Sequence, residues 1–381
     1  MKKAVLLLLI VVCFASCAEK APIETTVTSL DIIDAQPIDF ADIVEEVTCI
    51  PLDYSPESFF SDCWKIRCYQ EYIYLYSLSD FAVYIFNTQG HFVKKIDASG
   101  KLATPSDIYI NERRQELWVL DYRNYLNRYT LTGELIEHQE LPFAAVTMEH
   151  YSHKEFLFYD GYFDRENSSL LFLSDVATAK NKKGLIAKSE KNIPPVIPAT
   201  LFTRDTETDA IYMLLKLNDT IYISEPKSKT LMRPLYHLET KGTMLTEDSY
   251  PADGFTDREY AEFRKSNQHI VSVNSFYFAS GKLFFKLEGK YAYYVMIDTR
   301  TNQVSKFGRL FDGLHTHTPA TSIQGTTGNE LLFLFNTSHL LAHYALHNTT
   351  SIYPSINQTL DELTQSNQTD GYVIIRAKIK E

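Results

Sequence analysis

Motifs that announce an enzyme are missing from this chain. It has no GxSxG, no HExxH, no GxGxxG and no phosphate-binding loop. The strongest sequence signatures of serine hydrolases, zinc proteases and nucleotide-binding enzymes are therefore absent. Long apolar runs are lacking as well. The longest, Ala4 to Phe14, holds 11 residues, short of the roughly 20 that a membrane-spanning helix needs. Positive charge is in deficit: 37 Lys and Arg stand against 48 Asp and Glu, for a formal net charge of −11, and no basic cluster occurs. Nucleic acid is accordingly not an expected partner, and the acidic surface gives no long-range attraction to anionic polysaccharide. The five cysteines include no Cys-x-x-Cys pair, which argues against zinc and dithiol redox chemistry. No cofactor is expected. Amphipathic stretches of helix length are scarce.

What is present begins with an export signal. Lys2 and Lys3 precede the apolar run, and Phe14-Ala15-Ser16-Cys17 follows it. Charge, a short apolar segment and small residues in that order mark a signal peptide. Small residues directly before a cysteine resemble the lipobox of bacterial lipoproteins. The expectation is a signal peptide over 1–16, a lipidated Cys17 and a polar tether over 17–39, with one domain over 40–381. A multiply acylated cysteine carries enough chains for stable anchoring. Ala18 gives no inner-membrane retention signal, so the outer membrane is the expected address. Cys49, Cys63 and Cys68 remain in the body. They are expected mainly as buried small side chains, with a Cys63–Cys68 bridge as the alternative.

The body is rich in aromatics, with 25 Tyr and 23 Phe, which suit a pleated, half-buried surface. The runs Tyr72–Tyr76, Ala82–Phe86 and His91–Ile96, with the turn Asn87-Thr88-Gln89-Gly90, read as strand, strand, turn, strand. The pattern recurs 43 residues on, where Gly133 corresponds to Gly90 and Tyr129 to Phe86. Further strand groups fall at 156–173, 211–223, 276–297 and 331–344. A repeat of roughly 50 residues holding about four short antiparallel strands is the signature of a propeller blade. The expected fold is all-β, a six-bladed β-propeller. Its terminal strands, Val47–Leu52 and Tyr372–Ile379, would share one blade and so leave no open sheet edge. A pair of β-sandwiches is the alternative. Two stretches break the rhythm. Residues 177–200, with five lysines and three prolines, read as a surface connection. Residues 256–263 read as a short capped helix.

Four segments in order carry a family resemblance: Val47-Thr48-Cys49-Ile50-Pro51-Leu52, Tyr84–Gly90, Asn218–Tyr222 with Pro234-Leu235-Tyr236, and Gly371–Ile375. Together they resemble the six-bladed β-propeller lipoproteins of Bacteroides-type bacteria. The resemblance implies a propeller fold and a cell-envelope location. It brings no settled activity, and no catalytic residue is carried over from it.

Candidate chemistry is sparse. His315-Thr316-His317 places two imidazoles on one strand face, a partial metal site that lacks an identifiable third ligand, so no metal is expected. Asp160-Gly161-Tyr162-Phe163-Asp164 sets two carboxylates, Asp160 and Asp164, around a turn, the raw material for acid/base hydrolysis or calcium. His150 with His153, and Ser224-x-x-Lys227, are weaker pairs. Asp219-Thr220-Ile221 resembles a short O-glycosylation signal. Tyrosines exposed near a propeller mouth would stack on sugars or peptides. These features favour a lipid-anchored, non-catalytic module that binds a glycan, a peptide or an envelope protein. The rival is a hydrolase or lyase acting on glycans or peptides from the central channel.

Overall fold

The computed structural model describes residues 27–97, 104–152, 154–176, 182–196, 200–226, 230–241, 244–256, 258–259, 262, 272–288, 292–311, 322–347 and 350–381. They form six separate small sheets. Each sheet contains an antiparallel four-strand meander, and the innermost strands are Lys65–Tyr69, Pro105–Asn111, Thr147–His150, Phe202–Arg204, Ser272–Ala279 and Ile323–Thr327. We number the blades 1 to 6 in that order.

Burial explains why the strand signal was so strong. A middle strand of a blade is covered on both faces by the neighbouring blades. Tyr72–Ser77 and Ala82–Asn87 are therefore apolar almost throughout and buried at nearly every position. The outer strands are covered on one face at most. Phe92–Ile96 alternates, and Leu135–Glu140 is largely exposed and polar.

The hydrophobic core is divided into six clusters, and each is shared by two adjacent blades. Tyr74 and Ile85 of blade 1 meet Ile108 and Leu117 of blade 2. Trp118 then meets Phe156 of blade 3, and Leu157 meets Ile211 of blade 4. Tyr212 meets Phe278 of blade 5, and Phe284 meets Phe333 of blade 6. Leu332 and Ile374 of blade 6 meet Ile66 and Ile73 of blade 1, which completes the circle. No blade could bury its faces alone; each relies on two neighbours.

The chain termini close the ring. Val44–Pro51 is the outer strand of blade 6 and pairs antiparallel with Tyr372–Ile379, the strand next to it. The blade 1 turn presses on this joint. Gly90 has φ +89°, and a Cβ there would lie 1.9 Å from the Pro51 carbonyl oxygen. Only glycine fits. The matching turn of blade 2 keeps Gly133 at φ +86°, so the repeat read in the sequence is a repeat of backbone geometry.

Three features depart from the sequence reading. Residues 339–344, expected as a strand of blade 6, lie in the helix Thr337–His347. Its buried residues Leu340 and Tyr344 stand four apart, a helical spacing, and the Asn336 side chain accepts from the Ser338 amide at 3.0 Å at its start. The stretch 177–200 is more than a surface connection: Lys183–Ala187 is the outer strand of blade 3. The polar lead-in is also structured before residue 40. Thr28–Asp31 runs parallel to the outer strand of blade 4, and Gln36–Pro37 runs parallel to that of blade 5. The capping box expected at the helix near 256 is present, with Thr256 Oγ1 accepting from the Glu259 amide at 3.2 Å and Glu259 Oε2 accepting from the Thr256 amide at 2.8 Å. Among the described residues no helix is long and apolar enough to cross a membrane.

Candidate binding face and central channel

The two ends of the ring differ because of where the chain turns. At the end where the inner strands finish, the first hairpin turns are tight, as at residues 70–71, 280–281 and 328–329. At the end where they begin, the strands that lead into the longest connections finish, at Pro51, Ala187, Glu239, Phe307 and Asn336. Insertions concentrated on one face mark a binding face in repeat folds. This face also exposes aromatic rings. Tyr54 and Phe59 are 48% and 47% exposed and sit edge to face with centroids 6.2 Å apart. With Ser55 and Pro56 they line a hollow of about 380 Å³. The loop that carries them is fastened to the neighbouring turn by Asp80, which accepts from the Ser61 amide at 2.8 Å and from its hydroxyl at 2.6 Å.

Inside the ring, polar bonds link each inner strand or its flank to the next. Lys65 of blade 1 donates to Asp107 of blade 2. Asp107 accepts from the Thr147 hydroxyl and, at 3.1 Å, from the Met148 amide of blade 3. Glu149 of blade 3 pairs with Arg204 of blade 4 at 3.1 Å. The Thr203 hydroxyl accepts from the Phe278 amide of blade 5 at 2.8 Å. The Tyr294 hydroxyl accepts from the Ile323 amide of blade 6 at 2.7 Å. Gln324 donates to the Cys63 carbonyl, just before blade 1, at 2.8 Å. Gly325 permits this last approach, since a Cβ there would lie 2.3 Å from the Ile66 carbonyl oxygen.

The electrostatics of this channel follow from burial. Lys65 is only 4% exposed. Desolvation pulls its ammonium pKa down, and the Asp107 charge opposes that fall. Desolvation likewise lowers His150, aided by the Arg204 charge. Burial disfavours the Arg204 charge, but Glu149 and Asp209 more than offset it, and the net shift is upward. Tyr109 is pushed up, first by desolvation and then by Glu149. At the tight-turn end the channel opens into a mouth of about 190 Å³ lined from all six blades, among others by Arg67, Tyr109, Glu149, Arg204, Phe278 and Thr327.

The residues singled out from sequence are scattered. Cys17, His153, Lys227, His315 and His317 lie outside the described residues. Asp160 is fully buried and committed locally: Lys188 Nζ is 2.5 Å from Oδ1, and Asn167 donates to Oδ2 at 2.9 Å. Asp164 accepts from the Glu166 amide at 3.0 Å within its own turn. Neither lines the mouth. His150 ends the inner strand of blade 3. Ser224 is buried, and its hydroxyl donates to the Leu231 carbonyl. Thr220 is partly exposed, with its hydroxyl on Asp219 at 3.2 Å. Cys49, Cys63 and Cys68 are free thiols. Burial pushes Cys49 up to about 11 and Cys68 up to about 12, so all resist ionisation. Among the described residues, no group of three or more His, Cys, Asp or Glu is placed to hold a metal.

The channel residues Arg67, Tyr109, Glu149 and Arg204 escaped the sequence reading. A signal for them existed. Lys65-x-Arg67-x-Tyr69, Asp107-x-Tyr109 and Thr147-x-Glu149 each set polar residues at alternate positions of a first blade strand, and alternation puts them on one face.

Comparison with one solved structure supports the fold. A crystal structure from Bacteroides fragilis NCTC 9343, of a protein whose name describes it as exported, superposes with a TM-score of 0.69 at 13% identity, covering 93% of this chain and 100% of that one. A member of the DUF4221 family from Bacteroides vulgatus matches at a TM-score of 0.48 and 11% identity, covering 89% and 97%. No curated protein matches this chain. Over residues 25–378 the sequence matches the model of the family described as Domain of unknown function (DUF4934), and the chain belongs to that family.

Proposed function

We propose that this protein is a cell-envelope binding module, tethered to the outer membrane through an acylated Cys17, that takes a glycan, peptide or envelope-protein partner on the loop-bearing face of its propeller. The observation that carries this reading is the exposed Tyr54–Phe59 pair beside its hollow, on the end of the ring where the strands that lead into the longest connections finish. Exposed rings of this kind bind flat apolar faces and contribute more than area alone. The rival reading, a hydrolase or lyase in the channel, calls for carboxylates free to act. Of the described channel carboxylates, Asp107 and Glu149 are held by cations, which leaves Glu112 at the rim as the one such group for that chemistry.

The test is a soluble form starting near Thr26, screened against glycans and peptides for a rise in melting temperature, because any ligand of the native state raises it. A ligand whose effect disappears in the Tyr54→Ala, Phe59→Ala double variant supports the reading. Turnover of that ligand would replace binding with catalysis. For the anchor, Cys17→Ala is expected to move the protein from the membrane to the soluble fraction and to abolish incorporation of labelled palmitate.

A further inference from the structure

The opposite end of the ring holds a second feature that the loop-bearing face does not explain. Arg67 lies in the inner strand of blade 1 and lines the 190 Å³ mouth. Its strand neighbours Ile66 and Cys68 pack towards blade 6. Lys65, two residues before Arg67 and so on its face of the strand, reaches across to Asp107 of blade 2. Lys65 has Asp107, Arg204 has Glu149 and Asp209, and the buried Lys216 donates to the Val273 carbonyl and to Asn274. The Arg67 guanidinium has no hydrogen bond and no ion pair among the described residues, although acidic side chains outnumber basic ones in the chain. A guanidinium presents a flat fork of donors that matches a carboxylate in two parallel bonds.

The rest of the mouth narrows the chemistry. Tyr109, Thr326 and Thr327 line it as well, and their hydroxyls make no hydrogen bond to described residues. Glu149 uses Oε1 for Arg204 and for the His150 amide, which leaves Oε2 able to accept from a ligand hydroxyl. The Phe278 ring adds an apolar wall. One cation, an acceptor, several hydroxyls and an aromatic wall suit a molecule with a single carboxylate and several hydroxyl groups. Glu149, and Glu112 at the rim of the same mouth, would repel a dianion. The volume admits one sugar residue and no longer polymer segment.

We infer that the mouth at the tight-turn end is a binding site for a single uronic-acid residue, its carboxylate on Arg67 and its hydroxyls on Glu149, Tyr109 and the blade 6 threonines. The acidic surface is compatible with this, because the site engages one carboxylate and not a polyanion. The site is independent of the loop-bearing face.

The test is calorimetric titration of the full-length protein in detergent with D-glucuronate, D-glucose, acetate and sulfate. Glucuronate is expected to bind saturably and to bind more tightly than the other three. Arg67→Gln should weaken it at least about tenfold, as loss of a charge-assisted hydrogen bond does, while Arg67→Lys recovers part of the loss. Tyr54→Ala with Phe59→Ala should leave it unchanged. Equal binding by Arg67→Gln overturns the assignment, as does glucose, acetate or sulfate matching glucuronate, or no saturable glucuronate binding at all. A circular dichroism spectrum and melting temperature like those of the parent protein establish that Arg67→Gln is folded.

Discussion

Single residues in this ring act mostly through burial. The Lys65–Asp107 pair is almost wholly removed from solvent, with side chains 5% and 2% exposed. Such a pair stabilises little over an apolar replacement, but breaking it strands a charge. Asp107→Ala is therefore expected to destabilise the protein by about 3–5 kcal/mol in urea unfolding. Lys65→Met combined with Asp107→Leu should recover only part of that loss, because the Thr147 hydroxyl and the Met148 amide stay without their acceptor. Lys216 offers a second test. It is buried, donates to the Val273 carbonyl at 2.6 Å and to Asn274, and desolvation lowers its pKa to about 8. The unfolded chain keeps that proton up to a pH of about 10.4. Between those values the unfolded state binds more protons at this residue, so the Lys216 contribution to stability rises with pH. Above about pH 10 the buried tyrosines act the other way: desolvation raises Tyr129 and Tyr212 to about 12, so the unfolded state loses protons first. Denaturant titrations from pH 8 to 10 should show the stability of the parent protein rising relative to that of Lys216→Met, since the opposing ionisation of the cysteine thiols in the unfolded chain is common to both. A third residue, Gly90, has no tolerated replacement. Left-handed backbone and a 1.9 Å overlap with Pro51 together predict a loss of about 2–4 kcal/mol for Gly90→Ala.

The elements at the rim solve the problem of exposed strand edges, and they do so in three ways. Blades 1 to 3 leave outer strands bearing charges such as Lys94, Lys95, Glu137, Glu140 and Lys183. Blades 4 and 5 are overlaid by the N-terminal segment, whose path is held by Lys306 donating to the Ile33 carbonyl at 2.8 Å and by Lys241 with Asp31 and Asp34. On blade 6 the helix Pro354–Gln365 covers the edge strand, with Ser355 donating to the Val47 carbonyl and Ile356 and Leu363 buried. Deleting residues 27–38 uncovers two edges at once. The expected result is a lower Tm and concentration-dependent association in size-exclusion chromatography, with the far-ultraviolet spectrum remaining that of a β-protein.

Across the whole molecule, the six inter-blade cores depend on one another through the ring. The joint between Val44–Pro51 and Tyr372–Ile379 carries seven paired positions. Cutting it would expose an edge and a face of blade 6 together. Truncation after residue 371 is therefore expected to abolish the cooperative unfolding transition, not merely to lower its midpoint. A truncated chain that still melts cooperatively near the parent temperature would show that closure contributes little.

Much of this protein was written locally. Blade count, the Gly90 and Gly133 turns and the shared terminal blade were legible because strand pattern and turn chemistry act over a few residues. The helix Thr337–His347 was misread as a strand because its apolar run, Leu340-Leu341-Ala342, suits either period until a partner surface decides which residues are covered. The parallel overlay of Thr28–Asp31 was invisible for a related reason: its hydrogen bonds go to residues 236–239, and no local signal encodes a partner two hundred positions away. The same holds for the channel. The sequence by itself supplied an unremarked Arg67, Tyr109, Glu149 and Arg204, each an ordinary polar residue in a short strand. Only closure of the ring brought four different blades to one mouth and left one guanidinium there without an anion, because convergence on an axis is a property of the circle and of no blade within it.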